Sequence, residues 1–105
     1  MFPRCLGETE IVPLLSGLPH WNYRSREISR IFQFTSFMQS IDFVNQVAKL
    51  SENACHHPEI FISWRKVTLT LSTHRVKGLT TLDFDLAAEI DRLFANLPVG
   101  SRRES

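Results

Sequence analysis

The spacing of apolar residues along this chain switches repeatedly between periods of two and of three to four, and each switch marks an element. Glu8 to Ser16 fits one short helix, with acids in the first turn, where the helix dipole favours them. Pro13 confines that helix, since proline is tolerated only near a helix start, and Gly17 and Pro19 close the segment. The first six residues read as loosely attached. Trp21-Asn22-Tyr23 then alternates aromatic with polar, as a half-buried strand does. The polar run Arg24 to Glu27 turns the chain. Ile28, Arg30, Phe32 and Phe34 alternate with Ser29, Ile31 and Gln33 in a second strand, paired with the first as a hairpin.

Ser36 with Gln39 three residues on resembles a capping box, and Phe37, Ile41, Val44, Val47, Ala48 and Leu50 follow at helical spacing. Asp42, Asn45, Gln46 and Lys49 take the opposite face, so the longest helix runs to about Ala54. Pro58 cannot continue it and pushes His57 out of the helical region. Ile60 to Trp64 is a compact β-prone run, and Arg65-Lys66 turns it. In the next strand Val67, Leu69 and Leu71 share one face, while Thr68, Thr70, Ser72 and His74 share the other. Thr80 and Asp83 form a second capping box, with Leu79 and Phe84 as its hydrophobic staple. Leu82, Leu86, Ile90, Leu93 and Leu97 give the last helix its buried stripe, and Pro98, Gly100 and the tail from Ser101 end the fold. The order α-β-β-α-β-β-α predicts an α+β protein, a single four-stranded antiparallel sheet with three helices on one face. Two hairpin-then-helix units in succession hint at a repeat without establishing one.

Composition narrows the function. With 105 residues the chain is one domain, 1–105, with an ordered core over about 8–97. The formal net charge of +1 leaves no footprint for direct nucleic-acid binding. Arg24, Arg26 and Arg30 are interrupted by Ser25, Glu27 and Ser29 and read as a solvated strand edge. No apolar run reaches membrane-spanning length, and Met1 to Glu10 lacks an apolar signal core. Two cysteines, Cys5 and Cys55, make no disulfide framework, so a reducing, cytoplasmic setting is expected. Only Cys55-His56-His57 clusters metal-binding residue types, and without a second ligand pair no metal is expected. Cys55 itself reads as a small buried apolar residue.

The chemistry concentrates between Glu52 and His74. Three of the four histidines, His56, His57 and His74, frame one strand hairpin. Histidine gives and takes protons near neutral pH, so general acid–base work leads the candidates. Glu52 lies one helical turn before His56 and is expected to orient it. No Gly-rich phosphate loop is present.

Glu52-x-x-x-His56-His57-Pro58, an aromatic at Trp64, a histidine ending the next strand at His74 and an acid early in the last helix at Asp83 resemble the signature of the pterin-4a-carbinolamine dehydratases. Leu71-Ser72-Thr73-His74, Gly78-Leu79-Thr80 and Phe43-Val44-Asn45-Gln46-Val47-Ala48 agree with that family as well. The resemblance covers roughly Trp21 to Leu93 and implies the same order of elements. It implies dehydration of a 4a-hydroxytetrahydropterin to the quinonoid dihydropterin, recycling tetrahydrobiopterin after aromatic amino-acid hydroxylation, with no metal or other cofactor. His56 and His74 are the expected acid–base pair, His57 binds or assists, and Glu52 and Asp83 support them. Pro58, Trp64, Ser72 and Thr73 join His57 in the implied substrate site. Ile60 stands where the family often has tryptophan, so one wall of that site is altered. The implied assembly is a homodimer or homotetramer, and an aromatic amino-acid hydroxylase is the implied pathway partner. The competing class is a noncatalytic dimerisation or transcriptional-cofactor module of the same fold.

Overall fold

The computed structural model describes residues 4–103. Its elements are α1 (Glu8–Ser16), β1 (Asn22–Arg24), β2 (Glu27–Phe34), α2 (Phe37–Ala54), β3 (Glu59–Ser63), β4 (Lys66–Leu71), α3 (Thr81–Ala95) and a two-residue strand, β5 (Arg102–Arg103). The α+β order is the expected one, with a fifth strand added. All pairings are antiparallel, in the order β1-β2-β4-β3, and β5 pairs with β2 beside β1 through Phe34↔Arg102. Arg102 and Arg103 therefore join the sheet, past the point where the fold was expected to end. Ser101 is buried and its N–H donates to the Pro98 carbonyl.

Register explains the core. Ile28↔Leu71 and Phe32↔Val67 place apolar side chains of β2 and β4 opposite each other, and all four are buried. The helices cover this face, while Ile31 and Phe61 stay exposed on the other. Phe32, Phe34, Phe43 and Phe94 meet at its centre with ring centroids 4.9 to 5.9 Å apart, a spacing at which tilted and edge-on pairs are attractive.

Three sequence expectations change here. The inward stripe of α2 is Ser40, Phe43, Val47 and Ser51, while Phe37 and Ala48 are exposed. Ser51 Oγ donates to the Val47 carbonyl at 2.8 Å, so its hydroxyl is satisfied within the helix and the residue packs as a small one. Arg30 is not solvated: its side chain is 11% exposed, it pairs with Asp91 at 2.7 Å, and its guanidinium lies 4.4 Å from the Phe32 ring centroid. Trp21 Nε1 donates to the same Asp91 oxygen at 2.8 Å. Leu6, finally, is buried and its N–H donates to the Leu79 carbonyl at 2.8 Å, so the last of the six residues expected to be loosely attached is tied to the loop ahead of α3, while the first three lie outside the described residues.

Candidate active site

The site forms where α2 ends, β4 ends and α3 begins. Ser36 starts α2 by accepting the Gln39 N–H on its hydroxyl. At the other end Cys55 adopts left-handed geometry (φ 52°), its N–H donates to the Glu52 carbonyl, and the His56 N–H donates to the Ser51 carbonyl. These are the two bonds of a Schellman termination, which glycine usually completes. The backbone of His56 is thereby locked before Pro58 opens β3. Cys55 is exposed, contrary to expectation, because the residue that reverses the chain at a helix end stands clear of the helix.

Across the cavity, Thr73 and Gly78 form a two-way backbone bridge that pinches off a tight loop, with His74–Val76 as one 3-10 turn. Thr80 caps α3, and Asp83 returns a carboxylate oxygen to the Thr80 N–H at 2.9 Å. Capping does not exhaust Asp83. Its Oδ2 also accepts from the Thr73 hydroxyl at 2.8 Å, and its Oδ1 meets His56 Nε2 at 2.6 Å. The Thr73 and Thr80 hydroxyls share a further bond of 2.9 Å. Asp83 is fully buried and every polar atom of its carboxylate is used.

Helical spacing assigns Glu52 to His56. In the structure Glu52 bonds His57 Nε2 instead, on the exposed side of the helix end, because the Schellman turn rotates His56 inward and leaves His57 facing the helix's outer surface. The carboxylate that orients His56 is Asp83, 27 positions away in sequence.

His56, His57, His74, Ser72 and Thr73 line one cavity of about 350 Å³, completed by Cys55, Arg75 and Leu82. Sequence reasoning brought the first five forward. It missed Arg75, whose only signal was adjacency to His74, and took Leu82 for a core residue. Three expected members lie elsewhere. Pro58 is half-buried at the entrance to β3 and contributes no wall. Ile60 pairs with Leu69 on the core face of the sheet, away from the cavity. Trp64 sits at the far end of β3, roughly 20 Å along the strand from His57, 78% exposed and beside Phe37. Among the described residues, no cluster of three or more His, Cys, Asp or Glu could hold a metal ion, and no helix is long and apolar enough to cross a membrane.

The chemical content is a cavity with three imidazoles. Two are fixed by carboxylates, and the third, His74, is exposed and its ring has no hydrogen-bond partner among the described residues. This α+β domain carries a site suited to proton exchange with a small polar molecule. Residues 4–93 match the family described as pterin 4 alpha carbinolamine dehydratase, and the chain belongs to that family. A relative from Roseiflexus castenholzii, provisionally named a pterin-4-alpha-carbinolamine dehydratase, is 52% identical over 88 residues, covering 84% of this chain and 95% of its own. One from Picosynechococcus, named in the same provisional way, is 48% identical over 84% of this chain and 96% of its own. A crystal structure titled transcriptional coactivator/pterin dehydratase, from Brucella melitensis, superposes with a TM-score of 0.82 at 33% identity, covering 86% of this chain and 98% of that one. A pterin dehydratase-like RuBisCO assembly factor of the alpha-carboxysome shares the fold, with a TM-score of 0.60 at 24% identity over 73% of this chain and 89% of its own.

Proposed function

We propose that this protein removes water from 4a-hydroxytetrahydropterin to give the quinonoid dihydropterin, as part of tetrahydrobiopterin recycling. The observation that carries this is the joining of His56, His57 and His74 around one cavity, with Asp83 holding His56 Nε2. In the reaction the N5 proton goes to a base, the C4a–O bond breaks as the hydroxyl takes a proton, and an N5–C4a double bond forms. One proton is taken and one is given, so a pair of imidazoles suffices. His56 and His74 form that pair. Asp83 fixes the tautomer of His56, leaving its Nδ1 for the substrate, and the two free nitrogens of His74 complete the exchange. His57, held by Glu52, and the hydroxyl of Ser72 bind the pterin's polar edge, and Thr73 completes that wall while its own hydroxyl serves Asp83.

The test is turnover of freshly generated 4a-hydroxytetrahydropterin. Because the His74 ring is exposed and bonded to nothing among the described residues, His74→Ala leaves the fold intact. Turnover in that variant is expected to fall by about a hundred- to ten-thousand-fold. Wild-type activity surviving in it removes His74 from the mechanism. A wild type no faster than buffer defeats the enzyme reading and favours an interaction module, the role that the Brucella protein's title sets beside dehydration.

The reading includes assembly as a homodimer or homotetramer in a reducing cytoplasm, downstream of an aromatic amino-acid hydroxylase. Self-association is supported by the edge position of β3 and by the exposed Phe61, Phe37 and Met38. Sedimentation of the purified chain as a monomer at micromolar concentration counts against it.

A further inference from the structure

Four buried side chains form one line of hydrogen bonds behind the histidine cavity. Thr80, Thr73, Asp83 and His56 are each no more than 9% exposed, and Thr80 does not border the cavity at all. Counting protons gives the direction of the bonds. A hydroxyl has one proton to give, and a carboxylate oxygen only accepts. The Thr73 hydroxyl gives its proton to Asp83 Oδ2 at 2.8 Å. It has none left for Thr80, so the 2.9 Å bond between the two hydroxyls is donated by Thr80. The Thr80 oxygen in turn accepts the Leu82 N–H at 3.2 Å, which leaves its own proton for Thr73. Backbone holds both hydroxyls in place: Thr80 caps α3, and Thr73 is bridged to Gly78 in both directions.

Such a line is polarised along its length, each bond strengthening the next. It ends on Oδ2, the oxygen that also takes the Thr80 N–H, while Oδ1 faces His56 Nε2 at 2.6 Å. Donors that converge on one carboxylate share its negative charge. The more of it the hydroxyls draw, the less strongly Asp83 pulls on the His56 ring proton. We infer that Thr80 is a positioning residue for the reaction, its hydroxyl acting through Thr73 and Asp83 to moderate the hold on His56. This deepens the dehydratase reading and rests on the role given there to His56. Without the Thr80 hydroxyl, Asp83 grips Nε2–H more tightly and the ring gives up a proton acquired at Nδ1 more slowly. Turnover then falls while binding of the pterin does not change.

The test pairs Thr80→Val with Thr80→Ser, and Thr73→Val with Thr73→Ser, in the full chain. Two quantities are read: the 1H resonance of His56 Nε2–H without substrate, and kcat and KM for 4a-hydroxytetrahydropterin. Both valine variants are expected to move the resonance downfield, since a carboxylate relieved of a donor binds Nε2–H more strongly. Polarisation strengthens a bond by about 10–30%, so loss of the Thr80 hydroxyl is expected to lower kcat about two- to fivefold with KM unchanged. Thr73→Val removes the charge-assisted bond itself, and kcat is expected to fall about ten- to a hundredfold. Both serine variants keep the hydroxyl and stay near wild type in both quantities. Thr80→Val also removes the acceptor for the Leu82 N–H; if that unfolds the chain, Thr73→Val, which leaves this cap untouched, carries the test. A resonance that stays in place in the valine variants overturns the proposal, as does a rise in KM with kcat unchanged in Thr80→Val. A fall in kcat matched by the serine variants overturns it too, since shape and not the hydroxyl would then be at work. A wild type without turnover defeats the dehydratase reading, and the resonance then decides on the relay alone.

Discussion

Asp83 is the most informative residue to change, because one buried carboxylate caps α3, holds Thr73 and orients His56. Asp83→Ala strands the Thr80 N–H and His56 Nε2 in a site with no water access to Asp83 itself. At about 1–3 kcal/mol for each of these two buried groups left unpaired, the loss comes to about 2–6 kcal/mol. A domain of this size holds about 5–15 kcal/mol in total, so the alanine variant sits near the edge of folding. Asp83→Asn separates structure from chemistry. An amide whose oxygen occupies the Oδ2 position keeps the bonds from the Thr80 N–H and the Thr73 hydroxyl. Its NH2 then faces His56 Nε2, which must turn acceptor, and the ring proton moves to Nδ1. Stability should fall by about 1–2 kcal/mol, one charge-assisted hydrogen bond, while turnover falls by about a hundred- to ten-thousand-fold through the wrong tautomer. Denaturant melts give the first quantity, turnover the second, and the 15N shifts of the His56 ring report the tautomer directly. A folded Asp83→Asn protein with wild-type turnover and an unchanged His56 tautomer refutes the orienting role and leaves Asp83 as a cap.

Arg30→Ala removes an ion pair and a cation stacked on Phe32 and Phe94; a loss of about 2–3 kcal/mol is expected, and Arg30→Lys should recover only part of it. A melt within error of wild type for Arg30→Ala would show that the network contributes nothing. Cys55→Gly relieves a left-handed non-glycine residue and should stabilise by about 0.5–1 kcal/mol, with Cys55→Ala neutral; destabilisation by glycine contradicts the strain argument. Glu10 bonds the Arg4 guanidinium and accepts the Gly7 N–H, and these hold its carboxyl down at about 2 against an ordinary 4.5. A lowered carboxyl stabilises fully above its ordinary value, and that contribution is lost as pH falls from about 4.5 toward 2. NMR titration of Glu10 should show the low midpoint in the wild type and its return toward the ordinary value in Arg4→Ala; a midpoint indifferent to Arg4 disproves the pairing.

The elements were legible because their signals are local. Ser36 and Thr80 each cap the helix that follows them, and the period-two face of Val67, Leu69 and Leu71 is buried as read. What resisted reading is set by tertiary partners. Arg30 looked solvated because Asp91, Phe32 and Phe94 become its neighbours only on folding. The stripe of α2 was misplaced because Ser40 and Ser51 count as polar in sequence yet satisfy their hydroxyls on their own helix. Glu52 was assigned to His56 by helical spacing, but the left-handed turn at Cys55 ends that spacing just before His56. The three histidines and the cap of α3 were visible in sequence; the bond between them was not.

The central pairing of β2 with β4 spans the whole of α2 and β3. The chain must close that long loop before the pairing offers any return, and such non-local contacts slow folding. The bond from Asp83 to His56 joins α3 to the end of α2, and it is expected to form only after those two middle strands have met. Interactions made after the rate-limiting step govern how fast a protein unfolds and leave its folding rate nearly untouched. The carboxylate that orders the site is thus expected to act as a latch on the native state, prolonging its lifetime without hastening its arrival.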